Sequence, residues 1–131
     1  MSKQLAITNA ISAHGAWIAR FRRFFGGQEK LDAAIVSKND QCEFGKWLNG
    51  DGKKLLDGAS HQEIHKLHTE FHRVAGEVVR KAERGDVAGG KASIEKTGDF
   101  GKASAVLTAA MMAARDKIGR ASCRERVCYV V

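Results

Sequence analysis

Residues 60–82 read SHQEIHKLHTEFHRVAGEVVRKA, and this stretch decides the fold. Apolar residues recur in it every three or four positions, which is the spacing of one face of an α-helix. Ser60 together with Glu63 forms a capping-box pattern, so we predict that Ser60 is the N-cap of this helix. The Arg-Gly-Asp sequence at 84–86 then interrupts the pattern. The stretch therefore predicts one long amphipathic helix.

Four of the five histidines in the chain lie on this predicted helix. At about 100° per residue they fall within a sector roughly 60° wide. They form two pairs separated by four residues, a spacing with which one helix face can bind a metal ion. His68 and His72 lie nearer the apolar face, whereas His61 and His65 lie nearer the start of the helix, where fraying and water are greatest. We therefore favour His68 and His72 as metal ligands and expect His61 and His65 at the rim.

Two further donors lie far from this helix in the sequence. His14 falls in the middle of an apolar stripe, where a polar group without a partner costs about 1–3 kcal/mol. Cys42 opens the segment CEFGKWL, and Asp40 with Glu43 is predicted to cap a short helix whose dipole would stabilise a Cys42 thiolate. Three imidazoles and one thiolate complete a tetrahedral zinc shell. The alternatives are a hydrogen-bonded core histidine and a small buried cysteine.

The fold class follows from helical patterns and from the absence of strand signals. The chain has no proline and no alternating β-branched run, so we predict an all-α protein. Residues 49–52 are predicted to form a loop, and four glycines at 89–101 predict a kink or an interruption in the last helix. The arrangement expected is an antiparallel four-helix bundle with a short extra helix before the Cys42 segment. The other predicted helices are 3–25, 29–37 and 87–118.

Length and charge limit the classes of protein that the chain can represent. Its 131 residues are enough for one compact domain. The formal net charge of +7 raises the question of nucleic acid. The basic residues do not form one cluster and the aromatic residues are few, so we expect no nucleic-acid partner. No apolar stretch reaches the roughly 20 residues of a membrane span and no secretory pattern is present, so we expect no membrane binding and a cytoplasmic location.

The C-terminal residues differ in character from the rest of the chain. Residues 118–127 read IGRASCRERV, which resembles the translation of a sequencing-library adapter. We therefore expect a helical domain at 1–118 and a non-native tail at 119–131. Cys123 and Cys128 would then have no function, and the three cysteines do not form a disulfide framework. The alternative is a genuine frayed terminus.

Three motifs and the two intervals between them carry a resemblance to a known family. The motifs are, in chain order, His14-x-x-Trp17, Cys42-x-Phe44-Gly45-x-Trp47 and His68-x-x-x-His72. Between them, 24 residues separate Trp17 from Cys42, and 20 separate Trp47 from His68. Over about residues 5–115 the chain resembles the chemoreceptor zinc-binding domain family, often called CZB.

The resemblance implies a helical bundle in which zinc is held by His14, Cys42, His68 and His72. It also implies a homodimer that regulates a bacterial partner domain, such as a chemoreceptor signalling hairpin or a diguanylate cyclase. In that family the cysteine is thought to couple zinc occupancy, or oxidation by hypochlorous acid, to signalling. This sequence contains neither a receptor hairpin nor a cyclase domain, so we expect a stand-alone version of the family domain or a fragment, and its output stays open.

Three alternatives to a zinc or oxidant sensor are a structural zinc, a catalytic zinc and a di-iron bundle. A purely structural zinc in a protein-interaction domain uses the same four ligands, since a closed shell is typical of structural sites. A catalytic zinc keeps an open position for water, and a di-iron bundle uses Glu-x-x-His ligands, a pattern the chain lacks. We therefore expect a zinc-binding regulatory module with no enzymatic activity.

Overall fold

The structure is a computed structural model that describes residues 3–40 and 42–125. Within these residues it contains helices and no strand, which confirms the all-α prediction. The helices, in chain order, are α1 Lys3–Gly15, α2 Trp17–Phe25, α3 Ala33–Val36, α4 Glu43–Asn49, α5 Asp51–Leu55, α6 Gly58–Glu83, α7 Val87–Ser93 and α8 Asp99–Glu125.

Three long helical units form the body of the molecule, namely the pair α1 and α2, helix α6 and helix α8. The sequence predicted α1 and α2 as one helix, but the structure divides it at Ala16. The Ala16 amide still donates to the Ser12 carbonyl at 3.1 Å, and the Arg20 amide donates to the Ala16 carbonyl at 3.2 Å, so helical hydrogen bonding crosses the boundary. Helix α8 packs against α1 and α6, and α3 and α7 pack against α6. The antiparallel four-helix arrangement itself stays a prediction.

Within the hydrophobic core, a cluster of three phenylalanines joins α2, α6 and α8. Phe21, Phe71 and Phe100 are fully buried there. The Phe100 ring centroid lies 5.0 Å from those of Phe21 and Phe71, which is a favourable distance for aromatic pairs. Within the described residues, no helix combines the length and the apolar composition that crossing a membrane requires.

Helix α6 begins earlier than the capping-box pattern predicted. Its N-cap is Asp57, whose side chain accepts a hydrogen bond from the Ser60 amide at 2.8 Å. The Ser60 hydroxyl donates to the other Asp57 oxygen at 3.0 Å, so Ser60 lies inside the helix. The prediction was wrong because a carboxylate three residues upstream satisfies the free amide, a capping role that the serine was expected to fill.

The connecting segment, residues 26–57, departs furthest from the predicted elements. Helix α3 is shorter than the predicted 29–37 because Glu29 bonds to Arg20 at 2.9 Å and Asp32 caps the Ala34 amide at 2.8 Å, so the helix starts only at Ala33. Residues 49–52 are not a loop, since α4 ends at Asn49 and α5 starts at Asp51. A single residue therefore separates α4 from α5.

The last predicted helix is interrupted, as expected from its glycines. Helices α7 and α8 are separated by residues 94–98, and a Cβ atom on Gly98 would collide with the Ala92 and Ser93 carbonyls. Helix α8 continues to Glu125, beyond the predicted end at 118, so the helical pattern extends into the proposed tail. Residues 126–131 of that tail lie outside the described residues, and its non-native origin stays a prediction.

Candidate metal centre

The structure brings the four candidate ligands together from three regions. His14 lies in the last turn of α1, Cys42 precedes α4, and His68 and His72 lie one turn apart on α6. One candidate donor atom from each residue lies within 4.8 Å of all the others. Cys42 Sγ lies 3.4 Å from His68 Nε2 and 3.6 Å from His72 Nε2, and those two nitrogens are 3.1 Å apart.

These distances fit the coordination geometry of zinc. Zinc binds imidazole nitrogen at about 2.0–2.1 Å and thiolate sulfur at about 2.3 Å, mostly with tetrahedral geometry. Such a tetrahedron has edges of about 3.3 Å between two nitrogens and about 3.6 Å between nitrogen and sulfur. The separations among Cys42, His68 and His72 lie close to both values. The residues present therefore fit zinc in type and in spacing.

His14 supplies an independent indication of a missing partner. Its side chain is only 3% exposed, and its Nδ1 bonds to the Ala10 carbonyl at 2.7 Å. Among the described side chains, its Nε2 is the only buried nitrogen or oxygen without a hydrogen-bond partner. A buried polar atom without a partner costs about 1–3 kcal/mol, and a metal ion would satisfy it.

Backbone carbonyls select the tautomer of two of the imidazoles. His72 Nδ1 lies 2.9 Å from the Val36 carbonyl oxygen, and His14 Nδ1 contacts the Ala10 carbonyl in the same way. A carbonyl only accepts, so both Nδ1 atoms carry the proton and both Nε2 atoms present a lone pair. This arrangement is common around metal-bound histidine. Sequence reasoning could not identify which carbonyls these are, because backbone acceptors leave no signal in residue type.

Burial keeps the imidazoles in the form that can bind a metal. It lowers the pKa of His14 to about 4 and that of His68 to about 3, and it also lowers the pKa of His72. The proximity of His72 contributes further to the low pKa values of the other two. All three rings are therefore neutral near pH 7, with a lone pair available for coordination.

Cys42 differs from the prediction in position and in acidity. It is the N-cap of α4, where Asp40 was expected, and its Sγ accepts a hydrogen bond from the Gly45 amide at 3.3 Å. Burial raises the pKa of the Cys42 thiol, and hydrogen bonds from backbone amides, that of Gly45 first, only partly offset this effect. The expected thiolate stabilised by the helix dipole was therefore wrong for the protein without a cation. A bound divalent ion would favour the thiolate.

The glycine of the CEFGKWL segment has a steric role beside the thiol. A Cβ atom on Gly45 would collide with the carbonyl oxygen of Asn39, because Asn39 lies directly against the first turn of α4. The same Gly45 provides the amide that contacts Cys42 Sγ. Glycine at this position therefore lets the chain place the sulfur against α6.

Aromatic rings enclose the histidines. The His14 ring lies 4.8 Å from Phe71 and 5.7 Å from Phe44, in each case edge to face. The His68 ring makes the same type of contact with Phe44 at 5.2 Å. Such packing restricts the orientation of the rings and excludes water from around the donors. The sequence had indicated Phe44 only as a motif residue.

Cys42 is the donor that lies closest to solvent. It is half-buried, whereas His14, His68 and His72 are 1–3% exposed. Two surface clefts of about 340 and 500 Å³ reach it, and Trp17 also lines both. Cys42 is therefore the candidate donor most exposed to a small reagent from solvent.

The two other histidines on α6 do not join the cluster. His61 Nε2 bonds to the Leu48 carbonyl at 2.9 Å, and His65 is exposed. Neither contributes to the group of convergent donors found among the described residues. They lie at the rim, as predicted.

Comparison with known proteins assigns the chain to one protein family. The family model described as the chemoreceptor zinc-binding domain matches residues 14–79, a range that begins at the first candidate donor and includes the other three. No curated protein and no solved structure matches the chain significantly. The family is a regulatory and sensor family that is not known for enzymatic activity, and Zn²⁺ is its cofactor. This chain belongs to the chemoreceptor zinc-binding domain family.

Proposed function

We propose that this chain is a zinc-dependent regulatory module in which His14, Cys42, His68 and His72 hold the ion. The single observation that carries the proposal is the buried, unpartnered Nε2 of His14, a residue that belongs to the same group of candidate donors as Cys42, His68 and His72. Bound zinc would supply a divalent charge that stabilises the Cys42 thiolate and links α1, the connecting segment and α6. The chain's own residues present the donors and exclude water.

Elemental analysis of the purified protein tests the ligand set. We expect about one zinc per chain in the wild type, with loss of the metal in His14→Ala and in Cys42→Ala, because a structural shell needs all four donors. His65→Ala is the matched control, since this exposed histidine lies on the same helix outside the cluster. Wild-type protein without zinc, or full zinc in both ligand variants, would contradict the proposal.

Regulation would act through the cysteine. The thiolate is the only anionic donor of the four, so its oxidation to a sulfenic acid by a two-electron oxidant, or its protonation, would weaken metal binding. Its position at two surface clefts supports access by such a reagent. The segment that carries it packs through short helices, so it could move without unfolding α6 or α8.

A purely structural zinc is the second candidate. The observation that favours it is the burial of three of the four donors in a closed set, which is typical of structural sites. The rate at which a small alkylating reagent modifies Cys42 in zinc-loaded protein separates the two candidates. Modification accompanied by zinc release supports regulation, whereas a thiol that stays unreactive until the protein unfolds supports the structural alternative.

The partners proposed follow from the family and not from the site. We expect a cytoplasmic homodimer that acts on a chemoreceptor or on a diguanylate cyclase, and no enzymatic activity, because four protein donors leave no open position for a substrate. Light scattering of the zinc-loaded protein tests the homodimer. A monomer at all concentrations measured would remove that part of the proposal.

A further inference from the structure

Helix α3 approaches α6 at Gly76, and the approach is too close for a side chain. A Cβ atom on Gly76 would collide with Ser37 Oγ and would lie 3.1 Å from Ser37 Cβ and 3.3 Å from the Ala33 carbonyl oxygen. Glycine inside a helix is less favourable than alanine. Its presence in the middle of α6 therefore needs a reason, and the close contact with α3 provides one.

Ser37 is held in place, so it cannot simply turn away from an added methyl group. Its hydroxyl donates to the Ala33 carbonyl at 2.6 Å and accepts from Arg80 at 3.2 Å. Arg80 in turn bonds to Glu77 at 2.8 Å. A second hydrogen bond, from the side-chain amide of Asn39 to the Thr69 hydroxyl at 2.7 Å, holds the next part of the chain against α6. Rotating Ser37 would break its two hydrogen bonds.

The residue before Ser37 contacts the metal centre. The Val36 carbonyl accepts the hydrogen bond from His72 Nδ1, and His72 lies four residues, or about one turn, before Gly76 on α6. The distance between Ser37 and Gly76 therefore determines how far the Val36 carbonyl oxygen lies from Nδ1 of His72. A shift of α3 away from α6 would lengthen that bond and release the ring of His72.

We propose that Gly76 is a positioning residue for the metal centre. Because it has no side chain, α3 lies close enough to α6 for the Val36 carbonyl to orient His72 and to leave its Nε2 as the donor. Gly76 is not itself one of the candidate ligands, and it acts through Ser37 and Val36. The inference rests on the proposed zinc-binding function and adds to it the means by which one ligand is oriented.

The test is the zinc affinity of Gly76→Ala, measured by competition with a chromophoric chelator. Loss of the hydrogen bond that orients a metal-bound histidine weakens metal binding by about 10–100-fold, and we expect a decrease in this range. Gly58→Ala is the first control, because a Cβ at this position of the same helix meets nothing within 4 Å. Its zinc affinity should equal that of the wild type.

A second control separates positioning from general destabilisation. Gly90 on α7 is also crowded, since its Cβ would lie 3.0 Å from the Phe25 ring and 3.3 Å from the Val78 carbonyl. Gly90→Ala should lower thermal stability and leave zinc affinity unchanged. A Gly76→Ala affinity within twofold of wild type, or an equal loss in Gly90→Ala, would overturn the inference.

A rescue experiment examines the collision itself. Combining Gly76→Ala with Ser37→Gly removes the two atoms nearest to the new methyl group, and the next nearest, the Ala33 carbonyl oxygen, lies 3.3 Å away. The double variant should bind zinc more tightly than Gly76→Ala alone. If it binds no better, the contact between α3 and α6 is not the cause and the inference is wrong.

A measurement on the wild type does not depend on the folding of any variant. Nitrogen-15 NMR of the His72 ring should show a protonated Nδ1 both with and without zinc, because the Val36 carbonyl holds that proton in either state. An unprotonated Nδ1 would exclude the link on which Gly76 acts. Failure of the wild type to bind zinc would instead refute the proposed function, so the two failures are distinguishable.

Discussion

Helix α6 and the connecting segment both contribute donors to the metal centre, but they are stabilised in different ways. Helix α6 has 26 residues and places nine of them in the interior, among them Phe71 and Val78 with no exposed surface. The connecting segment contains three short helices of four, seven and five residues. Short helices are marginal without tertiary contacts. Helix α6 is therefore stabilised by the burial of one face, whereas the segment around Cys42 depends on helix caps and close glycine contacts, to which bound zinc would add.

Removal of zinc should destabilise the connecting segment more than the long helices, and this is the largest effect that we expect. Zinc at 1,000 times its dissociation constant stabilises the folded state by about 4 kcal/mol, so a chelator removes that amount. Hydrogen exchange should then increase more in residues 33–49 than in α8, because bound zinc would hold Cys42, which lies in residues 33–49, against α6. Equal exchange changes in both regions would refute a movable Cys42 segment and favour a purely structural ion.

Acid should destabilise the zinc-free protein through the histidines of the buried support. His14 and His68 have folded pKa values of about 4 and about 3, below the ordinary value of 6.5, so the unfolded state binds more protons. Stability is therefore fully present above about pH 6.5 and decreases as the pH falls towards 4 and then 3. At pH 5 the loss is on the order of 2 kcal/mol for each imidazole.

Chemical denaturation of the zinc-free protein between pH 7 and pH 5 measures this decrease. Gly58→Ala serves as the control, because it removes no titratable group and its Cβ would meet nothing within 4 Å. A zinc-free protein with the same unfolding free energy at both pH values would show that the buried imidazoles do not resist protonation.

The substitution Gly45→Ala should sharpen the comparison from the side of the connecting segment. Its methyl group would collide with the Asn39 carbonyl and would push the preceding chain, and with it Cys42, away from the histidines. We expect zinc affinity to decrease about 10–100-fold, the range seen when groups that support a ligand are lost. Competition with a chelator measures the decrease, beside Gly58→Ala as the sterically free control. Unchanged affinity would mean that the Cys42 loop adapts.

The smallest effect expected is that of Ser93→Ala, in a region that carries no donor. The Ser93 hydroxyl oxygen accepts a hydrogen bond from the Phe100 amide at 3.2 Å, where α7 passes into α8. Its loss should cost about 1 kcal/mol of unfolding free energy and leave zinc affinity unchanged. Calorimetry and chelator competition check the two parts. A weaker zinc affinity would link α8 to the centre more closely than its contacts indicate.

The sequence was sufficient to predict α6 and the histidines on it, since periodicity reports directly on a long amphipathic helix. It was also sufficient to predict that His68 and His72 lie nearer the interior than His61 and His65, because proximity to the apolar face correlates with burial. Their selection as zinc ligands stays a prediction. The start of α6 was predicted wrongly, since Ser60 and Asp57 both have capping side chains and local sequence does not rank them.

The connecting segment was predicted less well, for physical reasons that the residues themselves explain. The N-cap at Cys42 is a sulfur that accepts an amide, which is outside the usual set of capping residues. The raised pKa of the Cys42 thiol depends on burial, and burial is a property of the assembled chain. The Val36 carbonyl and the contact at Gly76 are backbone and steric features, which side-chain patterns do not encode.

The order of the donors along the chain has a consequence for biosynthesis. His14 and Cys42 leave the ribosome first, and two donors alone do not complete a structural shell. His68 and His72 follow only when translation has passed residue 72. Because synthesis proceeds from the N-terminus at about 5–20 residues per second, a shell of these four donors would be complete only some seconds after Cys42 has been added to the chain.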